Sequence, residues 1–352
     1  MARHHQIFET LKREILAGRF DDVQALPSET KLAERFEVSR PTVSRVILDL
    51  KRAGLVVTRA GAATRLSKFA LNSSGTIGIV DPGRGFGGVI SDVCGRIEEL
   101  AQKAGWKVIR ETIAGTSPSV RAREARRIVR LFGRERVAGV FMQPLEYQDD
   151  NASANRTVLD QFDRKDLPIV LLDYDVLPSP KRSKYDLVGI DNFSAGVAVG
   201  SRLVAEGCRS VGFLLPPGAA PTIVSRMRGV SCAVIESGGR WTFRGNVLQA
   251  KIDDRNAIRR FLSKARIDAL VCGNDATAAL VKKALGEGNG IRIAGFDDTD
   301  DASAFGLLTV RQPRCEMAMV ALSTLLTRIK NPRLPPRTIM LAAEAVDHAR
   351  RG

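Results

Sequence analysis

The sequence predicts an α/β protein: an amino-terminal winged helix-turn-helix followed by a larger region of two lobes, each a doubly wound parallel sheet. Three observations predict it. Leu32 and Phe36 lie four apart, and Val43, Val46, Ile47 and Leu50 follow the i, i+3, i+4, i+7 pattern, so two short helices can bury each other's apolar stripes. From Thr76 onward, apolar runs alternate with helix-length amphipathic segments, which implies parallel strands covered by helices on both faces. Between these regions, residues 66–75 (LSKFALNSSG) end in small polar residues and read as a linker. The expected division is residues 1–68 for the head, 69–75 for the linker and 76–352 for the lobes.

Within the head, QIFETLKREILAG is an amphipathic first helix. Glu37 and Val38 leave room only for a tight connection between the two helices that follow. Ser39 is a plausible N-cap, and Pro41 in the first turn sacrifices no hydrogen bond. With the apolar stripe inward, Pro41, Ser44, Arg45 and Arg52 face outward and Arg40 lies on the flank of the first turn. Free N–H groups and the positive dipole end at that helix start favour a phosphate. An arginine there can bond phosphate, or guanine bidentately in the major groove. Residues 55–59 and 64–68 can pair as short strands around Gly61, a residue able to take positive φ. Arg59, Thr64 and Arg65 on that wing are candidates for backbone or minor-groove contact, against the alternative of a solvated hairpin.

Residues 6–66 resemble the winged helix-turn-helix of the GntR family of bacterial transcription regulators, through LPSETKLAERFEVSRPTVSRVILDLKRAGLV and the wing TRAGAATRL. The resemblance implies a DNA-reading surface made by Thr30, Ser39, Arg40, Pro41, Thr42, Ser44, Arg45, Arg59, Gly61, Thr64 and Arg65. Arg40 matches the family pattern. Thr30 and Ser44 stand where the family usually has arginine, and Ala63 where the wing tip usually has a second glycine, so no operator sequence carries over.

At 352 residues the chain exceeds ordinary single-domain size, and 44% hydrophobic content supports substantial cores. The net charge of +15 points to a polyanion partner. Residues 1–68 hold 13 Lys+Arg and 8 Asp+Glu, and the remainder 41 and 31, so the head is about twice as basic per residue. Five scattered cysteines without a CxxC pair argue for reduced thiols, with neither a zinc site nor a disulfide framework. The first 18 residues lack an apolar signal core, and no apolar run is long enough to span a bilayer. A cytoplasmic protein is expected.

The predicted strands after the linker are 76–81, 106–112, 137–144, 168–175, 187–192, 210–217, 241–248, 268–275 and 291–298. Nine strands exceed what one compact unit needs, so two lobes are expected, with a ligand cleft off the carboxyl ends of the strands. Residues 76–348 resemble the effector domain of the LacI family, itself similar to periplasmic sugar-binding proteins. GIVDP, VLLDYD, LVGIDNFSAG, SRMRG, LVCGNDATA, IAGFDDTD, LTVRQP and RTIMLAAEAVDH carry the resemblance in order. The last strand departs from it, reading Asp347-His348 where the family commonly has Arg-x-Ser/Thr.

This resemblance makes Arg226, three residues before Gly229, the expected ligand-gripping guanidinium, and Asp297 the carboxylate offered to sugar hydroxyls. Asn274 and Asp173 end strands facing the cleft. Asp81, Arg84 and Phe86 occupy the first-strand loop, where the family often carries an Asn-Pro-Phe-aromatic run. Asp275 is expected to cap the following helix and Asp191 to be structural. Trp241 is expected in a core strand rather than against a sugar.

The combination resembles arabinose-responsive repressors: a homodimer on double-stranded operator DNA of a carbohydrate operon, governed by a small molecule, expected to be a sugar. No cofactor, metal or catalytic residue is expected. His4, His5 and His348 fall at the chain extremes, so no histidine triad assembles. Three other readings stand beside it. One is a constitutive regulator with a degenerate sensor. The second is a head fused to a dinucleotide-binding, enzyme-like domain, since residues 83–88 fit G-x-G-x-x-G with Glu111 near the next strand's end. The third is a transport solute-binding protein, which the attached head contradicts. The arginine-rich residues 120–136 read as a solvated helix face, with an anion-binding surface as the alternative.

Overall fold

The computed structural model describes residues 3–16, 19–20, 25–52, 55–58, 63–66, 75–81, 88–113, 117–146, 150–163, 167–177, 180–239, 241–251, 254–286 and 290–349. Arg59, Gly61, Arg84, Phe86, most of the proposed linker and all but Gly88 of the glycine run lie outside the described residues.

In the head, α1 (Arg3–Leu16), α2 (Glu29–Phe36) and α3 (Arg40–Arg52) close on one apolar cluster. Leu11, Leu32, Val43, Val46 and Leu50 are fully buried, as the spacing requires. α2 starts at Ser28, whose Oγ accepts from the Lys31 amide at 3.3 Å. It stops at Glu37, whose φ of 51° turns the chain so that the Val38 amide reaches the Ala33 carbonyl at 3.0 Å. Ser39 opens α3, its carbonyl accepting from the Thr42 amide at 3.0 Å and its hydroxyl meeting the Thr42 hydroxyl at 2.9 Å. β1 (Val56–Val57) and β2 (Arg65–Leu66) pair antiparallel as the wing, and Ala25 bridges to Arg65 from the other side.

The larger region is two six-stranded sheets. The first contains β3 (Thr76–Asp81), β4 (Lys107–Thr112), β5 (Val137–Met142), β6 (Ile169–Leu172) and β7 (Asp186–Ile190), joined late in the chain by β13 (Thr338–Leu341). Its order is β13-β7-β6-β5-β3-β4, parallel throughout. The second contains β8 (Val211–Leu214), β9 (Val247–Leu248), β10 (Ala269–Cys272), β11 (Arg292–Ala294), β12 (Leu308–Arg311) and β14 (Glu344–Asp347). Its order is β14-β12-β11-β10-β8-β9, with β14 antiparallel to β12. The chain passes from one sheet to the other after β7, after β12 and after β13. That arrangement leaves a few peptide segments to serve as hinges between two otherwise complete lobes.

The helices fill the crossovers: α4 (Val89–Lys103), α5 (Pro118–Arg134), α6 (Asn151–Asp163), α7 (Asn192–Ala205), α8 (Pro221–Glu236), α9 (Phe243–Asn246), α10 (Arg255–Ala265), α11 (Asp275–Leu285), α12 (Asp300–Ala304) and α13 (Arg314–Lys330). α13 returns to the first lobe and packs on α4 and on β5, β6 and β7. α7 and α8 approach through glycines. A Cβ on Gly196 would press into the Arg226 carbonyl, and one on Gly229 into the Phe193 carbonyl and, at 2.7 Å, the Val197 nitrogen. Because the obstacles are backbone atoms, Gly229→Ala is expected to destabilise by about 1–3 kcal/mol. A lowered midpoint in urea unfolding is the measurement; an unchanged midpoint refutes this close packing.

Two sequence expectations change. The run 241–248 is not one strand: Thr242 Oγ1 accepts from the Gly245 amide at 3.0 Å and Asn246 Oδ1 from the Thr242 amide at 2.8 Å, closing α9 before the short β9. These side chains offer the backbone a local alternative to a ladder. Trp241 packs half-buried against the core outside any strand. Two strands, β12 and β13, add to the nine expected and to the last strand, which is β14; β13 is an edge strand with alternating half-burial.

Candidate functional site

Between the lobes, the carboxyl ends of the strands line a small cavity, the place where ligands sit in open α/β sheets. β5 is followed by Gln143 and Glu146, β6 by Asp173, β10 by Gly273 and Asn274, β11 by Asp297 and β12 by Gln312; all line the space. α8 adds Thr222, Ile223 and Arg226, and the start of α4 adds Val89 and Ile90. Asp173 and Asp297 both take positive φ, 76° and 116°, which turns each strand end sharply at the cavity wall.

Arg226 is the organising group. Its Nε donates to Asn192 Oδ1 at 2.7 Å and its Nη1 to the Gly273 carbonyl at 2.6 Å. The same Nη1 stands 3.7 Å from Asp297 Oδ1, and the guanidinium lies 4.7 Å from the centre of the Phe296 ring. Asp297 also accepts from Gln312 Nε2 at 2.7 Å. Its carboxyl is pushed up to about 6, by burial first and against the pull of Arg226. Burial likewise raises Asp173, opposed by Arg226 and by the Thr222 hydroxyl, which donates at 3.5 Å. Glu146 is pushed up to about 8, chiefly by burial and then by the negative charge of Asp173.

The structure therefore brings Arg226, Asp297, Asn274 and Asp173 together, as the sequence expected. Asp81 departs: Arg110 on the neighbouring β4 holds its carboxylate, and it does not line the cavity. Asn274, rather than Asp275, caps α11, accepting from the Thr277 amide at 2.8 Å. Asp275 is instead buried, bonded by the Thr309 hydroxyl at 2.7 Å and the Thr299 amide at 3.0 Å, and burial pushes it up to about 7. Asp191 caps α7 through the Ser194 amide at 3.0 Å, a structural role. Sequence reasoning missed Glu146, Gln143, Thr222, Gln312 and Asn192. The strand-end rule, applied to the run 137–144 and to LTVRQP, contains the signal for Gln143, Glu146 and Gln312.

On the head, Thr30, Ser39, Arg40, Pro41, Ser44, Arg45 and Arg65 are exposed, while Thr42 and Thr64 are half-buried. Ser44 is tied down, its hydroxyl donating to Glu29 Oε2 at 2.6 Å. The first turns of α3 thus present the exposed guanidiniums of Arg40 and Arg45. The arginine-rich α5 keeps Arg123, Arg126, Arg130 and Arg134 in solvent, pairs Arg127 with Glu111 at 2.7 Å and buries Arg121. Among the described residues no helix is long and apolar enough to cross a membrane.

Known proteins share both halves. Residues 3–66 match the bacterial regulatory proteins of the gntR family, and residues 201–348 match the periplasmic binding protein-like domain. The HTH-type transcriptional repressor PurR of Mannheimia succiniciproducens is 27% identical over 228 residues, which cover 61% of this chain and 65% of that protein. Solved structures agree in fold: the transcriptional regulator CelR–cellobiose complex, with 19% identity and a TM-score of 0.65, covers 92% of this chain and all of that one. A LacI family transcriptional regulator from Enterococcus faecium with bound ribose, with 18% identity and a TM-score of 0.60, covers 77% of this chain and 96% of its own. The chain thus joins a GntR-family helix-turn-helix head to a periplasmic-binding-protein-like domain of the kind that LacI-type regulators carry.

Proposed function

We propose that this chain is a transcription regulator, acting as a repressor, whose hold on operator DNA is set by a small molecule enclosed between the two lobes. The carrying observation is the cavity itself: a guanidinium, two strand-end carboxylates and an amide converge between lobes that the chain crosses after β7, β12 and β13, in a chain whose head exposes a recognition helix. Such a site serves a sugar or a related polyol, since paired acceptors and a planar donor fork match adjacent hydroxyls. The repressor name of the PurR relative, and the cellobiose and ribose of the two structural neighbours, support this reading. Binding rather than catalysis is supported by the regulator and repressor names of the relatives and by the hydrogen-bonded cradle that the cavity's charged groups form.

Two chains paired through the larger region place two heads on a pseudo-palindromic operator in the cytoplasm. A hundredfold change in operator affinity requires the ligand to favour one lobe arrangement by roughly 2.7 kcal/mol. The test begins with operator selection from random duplexes by the full chain. Titrations follow with and without saturating ligand found by a thermal-shift screen of pentoses, hexoses and sugar acids. An unchanged operator affinity at saturation refutes the coupling. In the same assay Arg40→Ala is expected to weaken operator binding by about 1–3 kcal/mol. If Arg40 contacts phosphate, the variant also loses about one unit of salt slope; if it reads guanine, it relaxes specificity at one position. Wild-type affinity in Arg40→Ala would exclude the helix start from the interface.

A further inference from the structure

α5 and the turn after it carry more positive charge than the fold around them uses. Residues 118–136 hold seven arginines and two glutamates. Arg123, Arg126, Arg130, Arg134 and Arg136 all stand in solvent. The carboxylates nearby are already taken. Glu111 and Glu124 bond Arg127, at 2.7 and 3.0 Å, and Glu135 bonds Lys107 at 2.6 Å, with Arg134 adding to that pull. On the neighbouring α6, Asp163 accepts from Tyr185 at 2.8 Å and pairs with Lys184 at 3.0 Å, while the exposed Arg156 and Asp160 offset one another in sign. Arg126, Arg130 and Arg134 follow at intervals of four, so they line one face over roughly 12 Å of helix. Like charges one turn apart repel and weaken a helix. Gly133 is exposed beside them, and a Cβ there would meet nothing within 4 Å, so the backbone is bare where a broad partner would rest.

The position of this face points to its partner. α5 runs into β5, and Val137 pairs with Thr76, the first residue of β3, where residues 67–74 bring the chain from the head. Lys107 lies at the same end, its amide donating to the Gly75 carbonyl at 2.8 Å. Arg134 and Arg136 therefore stand at the end of the first lobe that the head's chain enters, opposite the cavity. The steps from Leu66 to Gly75 span at most about 30 Å. The ion pair of Lys12 on the head with Glu316 on α13, at 3.7 Å, is partly exposed and holds weakly, so chain length bounds where the head can lie. Among the described residues, none of the exposed large apolar side chains belongs to α5. Protein interfaces are built on such anchors, whereas a phosphate backbone is held by guanidiniums alone.

We propose that the Arg126–Arg130–Arg134 face of α5 grips the phosphate backbone of the duplex flanking the operator, giving the sensor region its own sequence-independent hold on DNA. This rests on the reading of the chain as an operator-binding regulator. Arginine bonds phosphate through two parallel N–H groups, and such contacts position a protein without reading bases. Each phosphate neutralised releases counterions, so the hold weakens with salt in proportion to the number of contacts.

The test is fluorescence anisotropy of the full chain on its selected operator, carried in a short duplex and in one extended at each end by about two helical turns of unrelated sequence, over a range of salt. Wild type is expected to bind the extended duplex on the order of tenfold more tightly at low salt, with a salt slope steeper by about 2 to 3. In the triple variant Arg126→Gln/Arg130→Gln/Arg134→Gln, checked for folding by circular dichroism and urea midpoint, the gain from the flanks and the extra slope both vanish. Preference for the operator over a scrambled core stays as in wild type. The matching triple lysine variant keeps most of the gain, because it keeps the charge. Equal wild-type affinity for the two duplexes overturns the proposal and leaves operator binding standing, as does a gain and slope unchanged in the glutamine variant. A glutamine variant that loses the operator preference also overturns it, since the face would then be reading sequence. A wild-type chain that selects no duplex sequence sinks the regulator reading and this inference with it.

Discussion

Asp186→Ala is expected to lower the stability of the folded chain by about 3–5 kcal/mol, the penalty for breaking a buried ion pair on one side. Asp186 starts β7 and is 1% exposed. Arg328 grips it with both prongs, Nε to Oδ2 and Nη2 to Oδ1 at 2.9 Å each. Arg337 adds its backbone amide at 2.8 Å and Nη2 at 3.1 Å. Arg328 also donates to the carbonyls of Pro332 at 3.2 Å, Leu334, and Pro335 at 2.9 Å, so the proline-rich turn into β13 is folded around one guanidinium. Removing the carboxylate strands two arginines and loosens the strand that closes the edge of the first sheet.

Burial alone would raise the Asp186 carboxyl, but the bonds from Arg328 and Arg337 outweigh it and hold the group below its usual range. A depressed folded pKa means the stabilisation is complete above the ordinary carboxylate range and fades as pH falls through it. Guanidinium unfolding of wild type and variant at neutral pH and near pH 3 checks both parts. The gap between them is expected to narrow in acid; equal stability at neutral pH would refute the role assigned to the pair.

Arg226→Ala is expected to abolish most small-molecule affinity, by roughly 10- to 150-fold for the loss of charged hydrogen bonds worth about 1.5–3 kcal/mol. Operator affinity without ligand should stay near wild type, because the head folds on its own apolar cluster. Arg226→Lys is not expected to rescue. A single ammonium point cannot span Asn192 Oδ1 and the Gly273 carbonyl while lying over Phe296, as the planar fork does. Calorimetry for the ligand and fluorescence anisotropy for the operator separate the effects. Full ligand response in Arg226→Ala would remove this residue from the site.

Much of this was legible in local pattern. The strand at 76–81 was read to the residue, and the stripe Val43, Val46, Ile47 and Leu50 is buried as its spacing demands. Asp297, Asn274 and Asp173 meet at one cavity because strand ends in a parallel sheet share one side, and α8 brings Arg226 to them. Asp81 ends a strand by the same rule yet is not among the residues that line the cavity. Arg110, opposite Ile79 in the β3–β4 register, takes its carboxylate, and register is a long-range property. Glu146 and Gln312 are harder to see in local pattern because one follows a proline by two residues and the other follows β12, a strand outside the nine apolar runs.

By itself the sequence determined the kinds of element and their order: helical stripes at a period of 3.6, apolar strands separated by crossovers, and caps such as Ser28 and Asp191 that accept from amides three residues on. Those choices are set within a few residues of chain, by steric and hydrogen-bonding rules that need no distant partner. The tertiary structure alone decided which charges face one another. Glu146, Asp173, Asp297 and Arg226 come from well-separated stretches of chain, and their balance exists only where two folded lobes exclude water between them.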